Sequence, residues 1–231
     1  MWTACVLMAL NWTAGVEEGF ASLFDGKSFA GWKYTDASKD RWEIHDGVIA
    51  LRADQPPRKG GVKAFDLWTE KSYGDVEMIA EWRLTMTPVQ KEMPDFTPDG
   101  LYKKDAAGKP LKHTISFYGD SGIYFRGDGR WQVNFWSQPM GSGDINEVHK
   151  DAKIPAEIRT ALMPKVHADN PPGQWNQFRI TVKGDRITVI LNDKLVIDNA
   201  QVPGMPPTGP IALQNHGDPV EFRNLQIREL K

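Results

Sequence analysis

Apolar and polar residues alternate with a period of two along most of the chain after residue 42. In one such segment the apolar positions are Val76, Met78, Ala80, Trp82, Leu84 and Met86. Glu77, Glu81 and Arg83 lie between them. Because successive side chains of a strand point to opposite faces, this pattern predicts a β-strand with one apolar and one polar face.

The same alternation predicts further strands at 42–52, 62–69, 114–118, 121–127, 131–137, 178–182, 187–191, 195–197, 210–216 and 220–227, with an irregularity at Asn224. The pairs Gly184-Asp185 and Asn192-Asp193 separate neighbouring strands and predict tight hairpin turns. Many short strands separated by turns that contain Gly and Pro are typical of a β-sandwich, a jelly roll or a barrel.

Two long segments interrupt the strand pattern, at residues 87–113 and 138–174. The first is rich in Pro, Lys and Asp, and the second contains the only predicted helix, at 154–163. Loops of this length inside a compact domain are usually lids or binding loops. The alternative is that both segments only decorate the surface.

The overall composition narrows the class of protein. The chain has 231 residues, a net charge of −2 and one cysteine. This length fits one all-β domain that buries a sizeable core. Near-neutral charge without a basic block argues against nucleic acid as the main partner. A single cysteine excludes an intramolecular disulfide framework and a cysteine-built zinc site.

The N-terminus contains a short apolar run at residues 5–10, followed by small residues at 13–15. This order predicts a secretory signal peptide over residues 1–18, and therefore an extracytoplasmic protein, either periplasmic or secreted. The alternative is a disordered start, because no basic residue precedes Lys27. The run is too short to span a bilayer and no other segment is long enough, so no membrane insertion is predicted.

Three predicted strands carry polar and aromatic side chains on the face opposite their apolar residues. These side chains are Asp120, Tyr124 and Arg126; Gln132, Asn134 and Trp136; and Gln214 and His216. Glu81 and Arg83 have the same relation to Trp82 and are predicted to join this face. Amides, arginine and flat aromatic rings suit a sugar, because hydroxyls need fixed donors and acceptors and pyranose C–H groups pack on rings. The alternative is an ordinary polar face covered by the two long segments.

A second cluster of polar residues lies in the segment 138–174. It consists of Asp144, Glu147, His149 and Asp151, the last three on one face if the segment is extended. Carboxylates with imidazole can bind a divalent metal ion, and Glu147 and His149 are the predicted ligands. The alternative is a set of solvated loop side chains, because no tight ligand motif is present. No other cofactor is predicted.

Several short blocks along the chain occur together in one known order. They are Leu23-Phe24-Asp25-Gly26 with Gly31-Trp32; Asp46-Gly47-Val48-Ile49; Tyr73-Gly74-Asp75; Asp120-Ser121-Gly122-Ile123-Tyr124-Phe125-Arg126; Trp131-Gln132-Val133-Asn134; Gly173-Gln174-Trp175-Asn176; and Gly209-Pro210-Ile211-Ala212-Leu213-Gln214-Asn215-His216-Gly217 with Val220-Glu221-Phe222-Arg223-Asn224. Residues 20–231 thereby resemble the 3-keto-disaccharide hydrolase domain family. In two places the chain departs from the family pattern. Asp120 stands where Asn is usual, and Gln132-Val133-Asn134 stands where Glu-x-Gln is frequent.

The resemblance implies one domain over residues 20–231 with a concanavalin A-like jelly-roll fold. That fold is an all-β sandwich of two curved antiparallel sheets, here with one short helix in a long loop. It also implies a bacterial enzyme of sugar catabolism that cleaves glycosides whose 3-hydroxyl is oxidised to a ketone. The expected partner is a small-molecule sugar or glycoside, and the sequence predicts no oligomeric state.

A 3-ketone acidifies the hydrogen on C2, so cleavage can proceed by elimination and hydration with a base, an acid and a group that stabilises the ketone oxygen. Glu81 and His216 are the predicted base and acid, and Arg126 is the predicted oxygen clamp. The predicted substrate-binding residues are Arg83, Asp120, Tyr124, Gln132, Asn134, Trp136 and Gln214. Glu81 has an alternative as a structural ion pair with Arg83 or Arg126, and His216 has one as a turn residue. The alternative for the whole domain is a non-catalytic, lectin-like carbohydrate-binding module.

Overall fold

A computed structural model describes residues 15–52 and 65–231 of the chain. Most of the predicted signal peptide, and the start of the predicted strand 62–69, lie outside the described residues. None of the helices in the described ranges is long and apolar enough to cross a membrane.

The described part of the chain contains fourteen strands. They are β1 Ala21–Ser22, β2 Trp42–His45, β3 Val48–Leu51, β4 Leu67–Tyr73, β5 Val76–Leu84, β6 Val89–Pro94, β7 Lys112–Phe117, β8 Asp120–Phe125, β9 Asp128–Trp136, β10 Asn176–Lys183, β11 Arg186–Leu191, β12 Lys194–Gln201, β13 Gly209–Leu213 and β14 Val220–Glu229. Three short helices lie between them, α1 Asp36–Lys39, α2 Asn146–His149 and α3 Ala156–Ala161.

Two antiparallel sheets make up the body of the fold. The larger sheet has the order β12-β11-β10-β5-β14-β3-β2, with β1 paired to β14, and the smaller has the order β4-β13-β8-β9. The two sheets face each other across the core, where Trp82 of β5 stacks on Phe135 of β9 with ring centroids 4.1 Å apart. The predicted all-β sandwich of antiparallel sheets is confirmed.

The core is formed by the apolar residues of the predicted alternating pattern. On β5, Val76, Met78, Ala80, Trp82 and Leu84 are buried, while Glu77, Glu81 and Arg83 are partly exposed on the outer surface. The predicted turns are confirmed, since Gly184 joins β10 to β11 and the Asn192-Asp193 pair joins β11 to β12, all with positive φ. The irregularity at Asn224 is a β-bulge, where the pairing register of β14 with β5 shifts.

The segment 87–113 differs from its prediction as a loop. Strands β6 and β7 pair as a separate two-stranded ribbon, residues 89–117. Two isolated bridges, Phe96 to Tyr102 and Lys104 to Pro110, continue the pairing towards the tip of the ribbon. The ribbon packs on the smaller sheet through a second apolar cluster centred on Met93, Phe117 and Trp136. The strand predicted at 114–118 forms as part of β7, whereas the first four residues of β6 are all exposed and show no alternation in the sequence.

The helices also differ in number from the single predicted one. The helix predicted at 154–163 forms as the shorter α3, and α1 and α2 are each a single turn of four residues. Helices of this length are too short to show the 3.6-residue period that would reveal them in a sequence.

Candidate functional site

Three neighbouring strands of the smaller sheet bring most of the predicted sugar-binding residues together on its outer surface. Across β8 and β9, Asp120 is opposite Trp136, Gly122 opposite Asn134, and Tyr124 opposite Gln132. On the other side of β8, Ala212 of β13 pairs with Tyr124, and the Gln214 N–H donates to Gly122 O at 2.9 Å. We call this surface the polar face; its residues are Asp120, Gly122, Tyr124, Gln132, Asn134, Trp136, Gln214 and His216.

A continuous set of amides crosses the polar face. Gln132 Nε2 donates to Gln214 Oε1 at 2.8 Å, and the amides of Gln132 and Asn134 lie 2.8 Å apart. In one orientation of its amide, Asn134 Oδ1 accepts from Gln132 Nε2 at 2.8 Å; in the other, its nitrogen donates to Asp120 Oδ1 at 3.2 Å and its oxygen accepts from Trp136 Nε1 at 3.3 Å. The amides are nearly buried and packed against one another, so their donors and acceptors hold fixed positions, as recognition of hydroxyl groups requires.

Gly122 occupies the centre of the polar face and makes this arrangement possible. A Cβ at this position would lie 2.1 Å from Gln132 Nε2 and 2.6 Å from Gln132 Cγ. The absent side chain therefore leaves the space in which Gln132 lies across β8 to reach Gln214.

Asp120 is the carboxyl of the polar face with the most perturbed acidity. The pKa of Asp120 is raised to about 6, mainly by burial; nearby Asp144 and Asp218 contribute to the rise, and the charges of His216 and Lys91 oppose it. Its side chain is 15% exposed, so it is still reached by solvent. A carboxyl with this pKa can gain and lose a proton near neutral pH.

His216 lies at the same end of the polar face and is the more exposed partner, with 43% of its side chain accessible. Its Nε2 is 3.8 Å from Asp120 Oδ2, and its Nδ1 is 3.8 Å from Asp218 Oδ2. A carboxyl and an imidazole thus lie side by side at the open end of the amide network, where both can exchange protons with a bound molecule.

Tyr124 closes the opposite end of the polar face. Burial is the main reason that the pKa of Tyr124 is raised above its ordinary value, with Asp66, Asp120 and Glu147 adding to the effect and a hydrogen bond with Gln214 opposing it. The hydroxyl therefore keeps its proton and remains a hydrogen-bond donor. The ring packs against Trp68, with centroids 5.8 Å apart.

Glu81 and Arg83 do not join the polar face, and the prediction that they do is wrong. Since Trp82 stacks on Phe135 inside the sandwich, Glu81 points away from the core on the outer surface of the larger sheet. There Glu81 Oε2 accepts from Arg223 Nε at 2.6 Å and Oε1 from Asn224 Nδ2 at 2.9 Å. Arg83 pairs with Glu221 at 2.5 Å. Glu81 is a structural ion-pair partner, with Arg223 in place of the two arginines considered above.

Arg126 is also held away from the polar face, so it cannot act there as the predicted clamp for a substrate oxygen. It follows β8 with φ 53°, at a bulge that turns its side chain out of the strand's alternation. The buried guanidinium donates to Gly184 O at 2.8 Å, Pro206 O at 2.6 Å and Asp75 Oδ1 at 3.0 Å. These contacts join three turns at one end of the sandwich and leave Arg126 no role at the polar face.

The predicted metal ligands Glu147 and His149 are not brought together. Both ring nitrogens of buried His149 are occupied, Nδ1 by Gly100 O at 2.7 Å and Nε2 by Asp144 Oδ2 at 3.0 Å. Glu147 instead pairs with Lys150 at 2.9 Å. Over residues 15–52 and 65–231, no three or more His, Cys, Asp or Glu side chains are grouped to hold a metal ion.

The sequence analysis missed two charged residues near Asp120. Asp218 follows His216 by two residues, between the predicted strands 210–216 and 220–227. Lys91 lies on β6 of the ribbon, far from Asp120 in sequence, and its positive charge lowers the pKa of Asp120. The spacing of Asp218 from His216 was a usable signal, whereas nothing in the sequence indicated the position of Lys91.

Comparison with known proteins identifies relatives across the whole domain. A 3-keto-disaccharide hydrolase from Bacteroides thetaiotaomicron is 22% identical over an alignment of 250 positions, which covers 92% of this chain and 79% of that protein. A proposed glycosyl hydrolase from Parabacteroides distasonis superposes with a TM-score of 0.61 at 21% identity, over 92% of this chain and 84% of the other. A second structure from that organism gives a TM-score of 0.54 at 20% identity, over 98% and 99%.

The similar structures support the sandwich fold, and a match between the sequence and a family model identifies the family. The model of the 3-keto-α-glucoside-1,2-lyase-like domain matches residues 19–228. That range contains both sheets, the ribbon and every residue of the polar face. The chain belongs to the family of 3-keto-α-glucoside-1,2-lyase-like domains.

Proposed function

We propose that the polar face binds 3-keto-glycosides, such as 3-keto-disaccharides, and cleaves them by elimination followed by hydration. The observation that carries this proposal is the Asp120 carboxyl, whose pKa of about 6 lies near neutral pH, at the end of an ordered amide network. A base is most effective when its pKa is close to the working pH. The names of the family and of the Bacteroides relative agree with this substrate class.

In the proposed reaction Asp120 replaces Glu81 as the base. Its carboxylate removes the C2 proton, which the neighbouring ketone has made acidic. The C1–O bond then breaks to give an enone, and the departing oxygen takes a proton from His216. Water adds to C1 and gives a proton to His216, while Asp120, which exchanges its proton with solvent, protonates C2. One glycoside and one water thus yield a 3-keto sugar and an alcohol.

The rest of the polar face positions the sugar in this proposal. Removing the C2 proton places negative charge on the ketone oxygen, which a fixed donor stabilises. Tyr124 retains its proton because of burial and can donate to a sugar oxygen. Gln132, Asn134 and Gln214 supply further amide donors and acceptors for hydroxyls. Two opposed carboxylates, as in ordinary glycosidases, are not required.

The decisive experiment incubates the purified protein with 3-keto-trehalose in D2O. We expect release of 3-keto-glucose with deuterium at C2, and no release from trehalose itself. Glu81→Gln is the matched control, because it changes a carboxylate on the opposite surface and should leave the turnover rate unchanged. Saturable sugar binding without turnover would make the domain a carbohydrate-binding module, and cleavage without deuterium at C2 would exclude the elimination route.

The pH dependence of the reaction is a further prediction. Because Asp120 must be ionised to act as the base, kcat/KM should fall about tenfold per pH unit below about pH 6. The profile should be recorded between pH 4.5 and 8 with 3-keto-trehalose. A flat profile between pH 5 and 7 would contradict the assignment of Asp120.

Gly122→Ala should weaken sugar binding without unfolding the protein. The new methyl group must displace Gln132, which breaks its hydrogen bond to Gln214. Losing one ordered contact of about 1 kcal/mol or more predicts a KM raised roughly 5- to 20-fold. Gly74→Ala is the control, since its nearest neighbours would be 3.6 Å away. Equal KM values for the two variants would remove the Gln132 amide from substrate binding.

A further inference from the structure

A cleft of about 430 Å³ opens beside the polar face, between the ribbon and the turn that follows β9. Its walls are largely apolar and include Pro94, Phe96, Pro98, Pro139, Met140 and Met163. The turn runs from Gln138 to Gly141, closed by a 2.9 Å hydrogen bond between their backbones. Proline and methionine at its two central positions place both side chains in the cleft wall.

The few polar groups of this cleft are unevenly satisfied. The Thr97 hydroxyl bonds to Asp99 at 2.5 Å, and His113 Nδ1 lies 2.6 Å from Asp95 Oδ1. In contrast, Gln138 Nε2 and His113 Nε2 are buried and have no hydrogen-bond partner in the protein. Gln138 is only 4% exposed. An unpaired amide at such a position is costly, and an acceptor atom on a bound molecule would satisfy it.

The cleft lies next to the proposed catalytic end of the polar face, with Trp136 between them. Trp136 is directly opposite Asp120 in the β8–β9 pair, and Gln138 follows two residues later. On its other side, the Trp136 ring contacts Phe96 of the cleft wall, with centroids 6.0 Å apart. A substituent that leaves C1 of a sugar held at Asp120 therefore has the cleft as its neighbour.

We infer that the cleft binds the leaving group of the substrate, and that it selects a flat aromatic group over a second sugar. A sugar ring needs many hydrogen-bond partners, whereas this cleft offers two unpaired polar atoms within an apolar wall. An aromatic ring packs against proline, methionine and Phe96, and an oxygen on that ring can accept from Gln138. This inference rests on the proposed glycoside cleavage for its biological meaning, but binding in the cleft can be measured independently.

The binding test uses methionine methyl groups as reporters. With ¹³C-methyl-methionine labelling, the signals of Met140 and Met163 are assigned from Met140→Leu and Met163→Leu variants. Adding 4-nitrophenol should shift both signals saturably and leave the signal of buried Met78 in place, while methyl glucoside should shift neither. Absence of a saturable shift at Met140 and Met163 overturns the inference.

The kinetic test compares 4-nitrophenyl and methyl 3-keto-glucosides. Met140→Trp fills the cleft, so the ratio of kcat/KM for the aromatic over the methyl substrate should fall at least about tenfold relative to the unaltered protein. Val166→Trp is the matched control, because Val166 is exposed and outside the cleft wall. Using a ratio removes the intrinsic difference in leaving-group reactivity. An unchanged ratio in Met140→Trp overturns the inference.

The two tests also separate this inference from the proposed function. If neither ketone substrate is cleaved but 4-nitrophenol still shifts Met140 and Met163, the cleft is an aromatic-binding site and the proposed reaction fails. If both substrates are cleaved and the ratio does not respond to Met140→Trp, the reaction stands and the assignment of the cleft fails.

Discussion

Asp120→Asn is expected to lower kcat for 3-keto-trehalose by about 100-fold or more and at the same time to raise the melting temperature at pH 7.5. The loss of rate follows because an amide cannot accept the C2 proton, and a positioned general base typically contributes about 10²–10⁴-fold. The shape of the side chain is kept, so sugar affinity should change little.

The gain in stability follows from the direction of the pKa shift. Burial raises the pKa of Asp120 from 3.8 to about 6, so the folded protein binds a proton that the unfolded chain has already released between these pH values. Stability therefore falls as the pH rises from about 4 to about 6, and above that the ionised carboxyl costs at most about 3 kcal/mol. Asparagine carries no charge and avoids this cost.

The measurement is the melting temperature of both proteins from pH 4 to pH 8. The curves should coincide near pH 4 and separate above pH 6 by roughly 6–12 °C at most. Asp46→Asn is the control, because the Asp46 side chain is 99% exposed and should show no such divergence. An Asp120→Asn protein that retains normal turnover would transfer the role of base to His216.

The sandwich could be predicted from the sequence because burial of one face of a strand requires apolar residues at alternate positions. Each strand of the two sheets has one face against the core, so its apolar residues recur at every second position. This signal identified β5, β8, β9 and the β10–β11–β12 meander together with the turns between them. In the ribbon only β7 alternates, and it corresponds to the strand predicted at 114–118; the first four residues of β6 are all exposed, so this strand has no period of two to detect.

Part of the polar face followed from the same alternation. Tyr124, Gln132, Asn134 and Trp136 were assigned to one surface by their parity within β8 and β9, and the structure places them there. Parity states only which side of its own strand a residue occupies. It does not tell which sheet the strand belongs to, so Glu81 on the outer surface of the larger sheet was grouped with residues on the opposite side of the core.

Arg126 shows a second limit of the alternation. Its parity matches that of Tyr124, but a register shift at the end of β8 and a positive φ redirect the side chain. Close packing contributes to this geometry, because Gly209 leaves space for the Arg126 backbone where a Cβ would lie 2.3 Å from its carbonyl carbon. A bulge of this kind breaks the period of two without leaving a residue-type signature in β8.

Arg126→Met is therefore expected to destabilise the fold rather than to slow a chemical step. The substitution removes the cation that pairs with Asp75 and the donor to the carbonyl oxygens of Gly184 and Pro206. Hydrogen bonds from a charged group typically contribute about 1.5–3 kcal/mol each, and several are lost together, so the melting temperature should fall by more than about 6 °C. Arg126→Lys should recover only part of this loss, since one ammonium group cannot reproduce the planar fork that reaches three turns.

The comparison that distinguishes structure from catalysis is turnover measured well below each melting temperature. Arg186→Met is the matched control, because Arg186 is exposed and its guanidinium donates to Asn199 O, so the melting temperature of this variant should stay within about 1–2 °C of the unaltered protein. At low temperature, folded Arg126→Met should cleave 3-keto-trehalose at close to the normal rate, because the arginine lies away from the polar face. If Arg126→Met keeps its melting temperature but loses turnover, Arg126 contacts the reacting oxygens of the substrate after all.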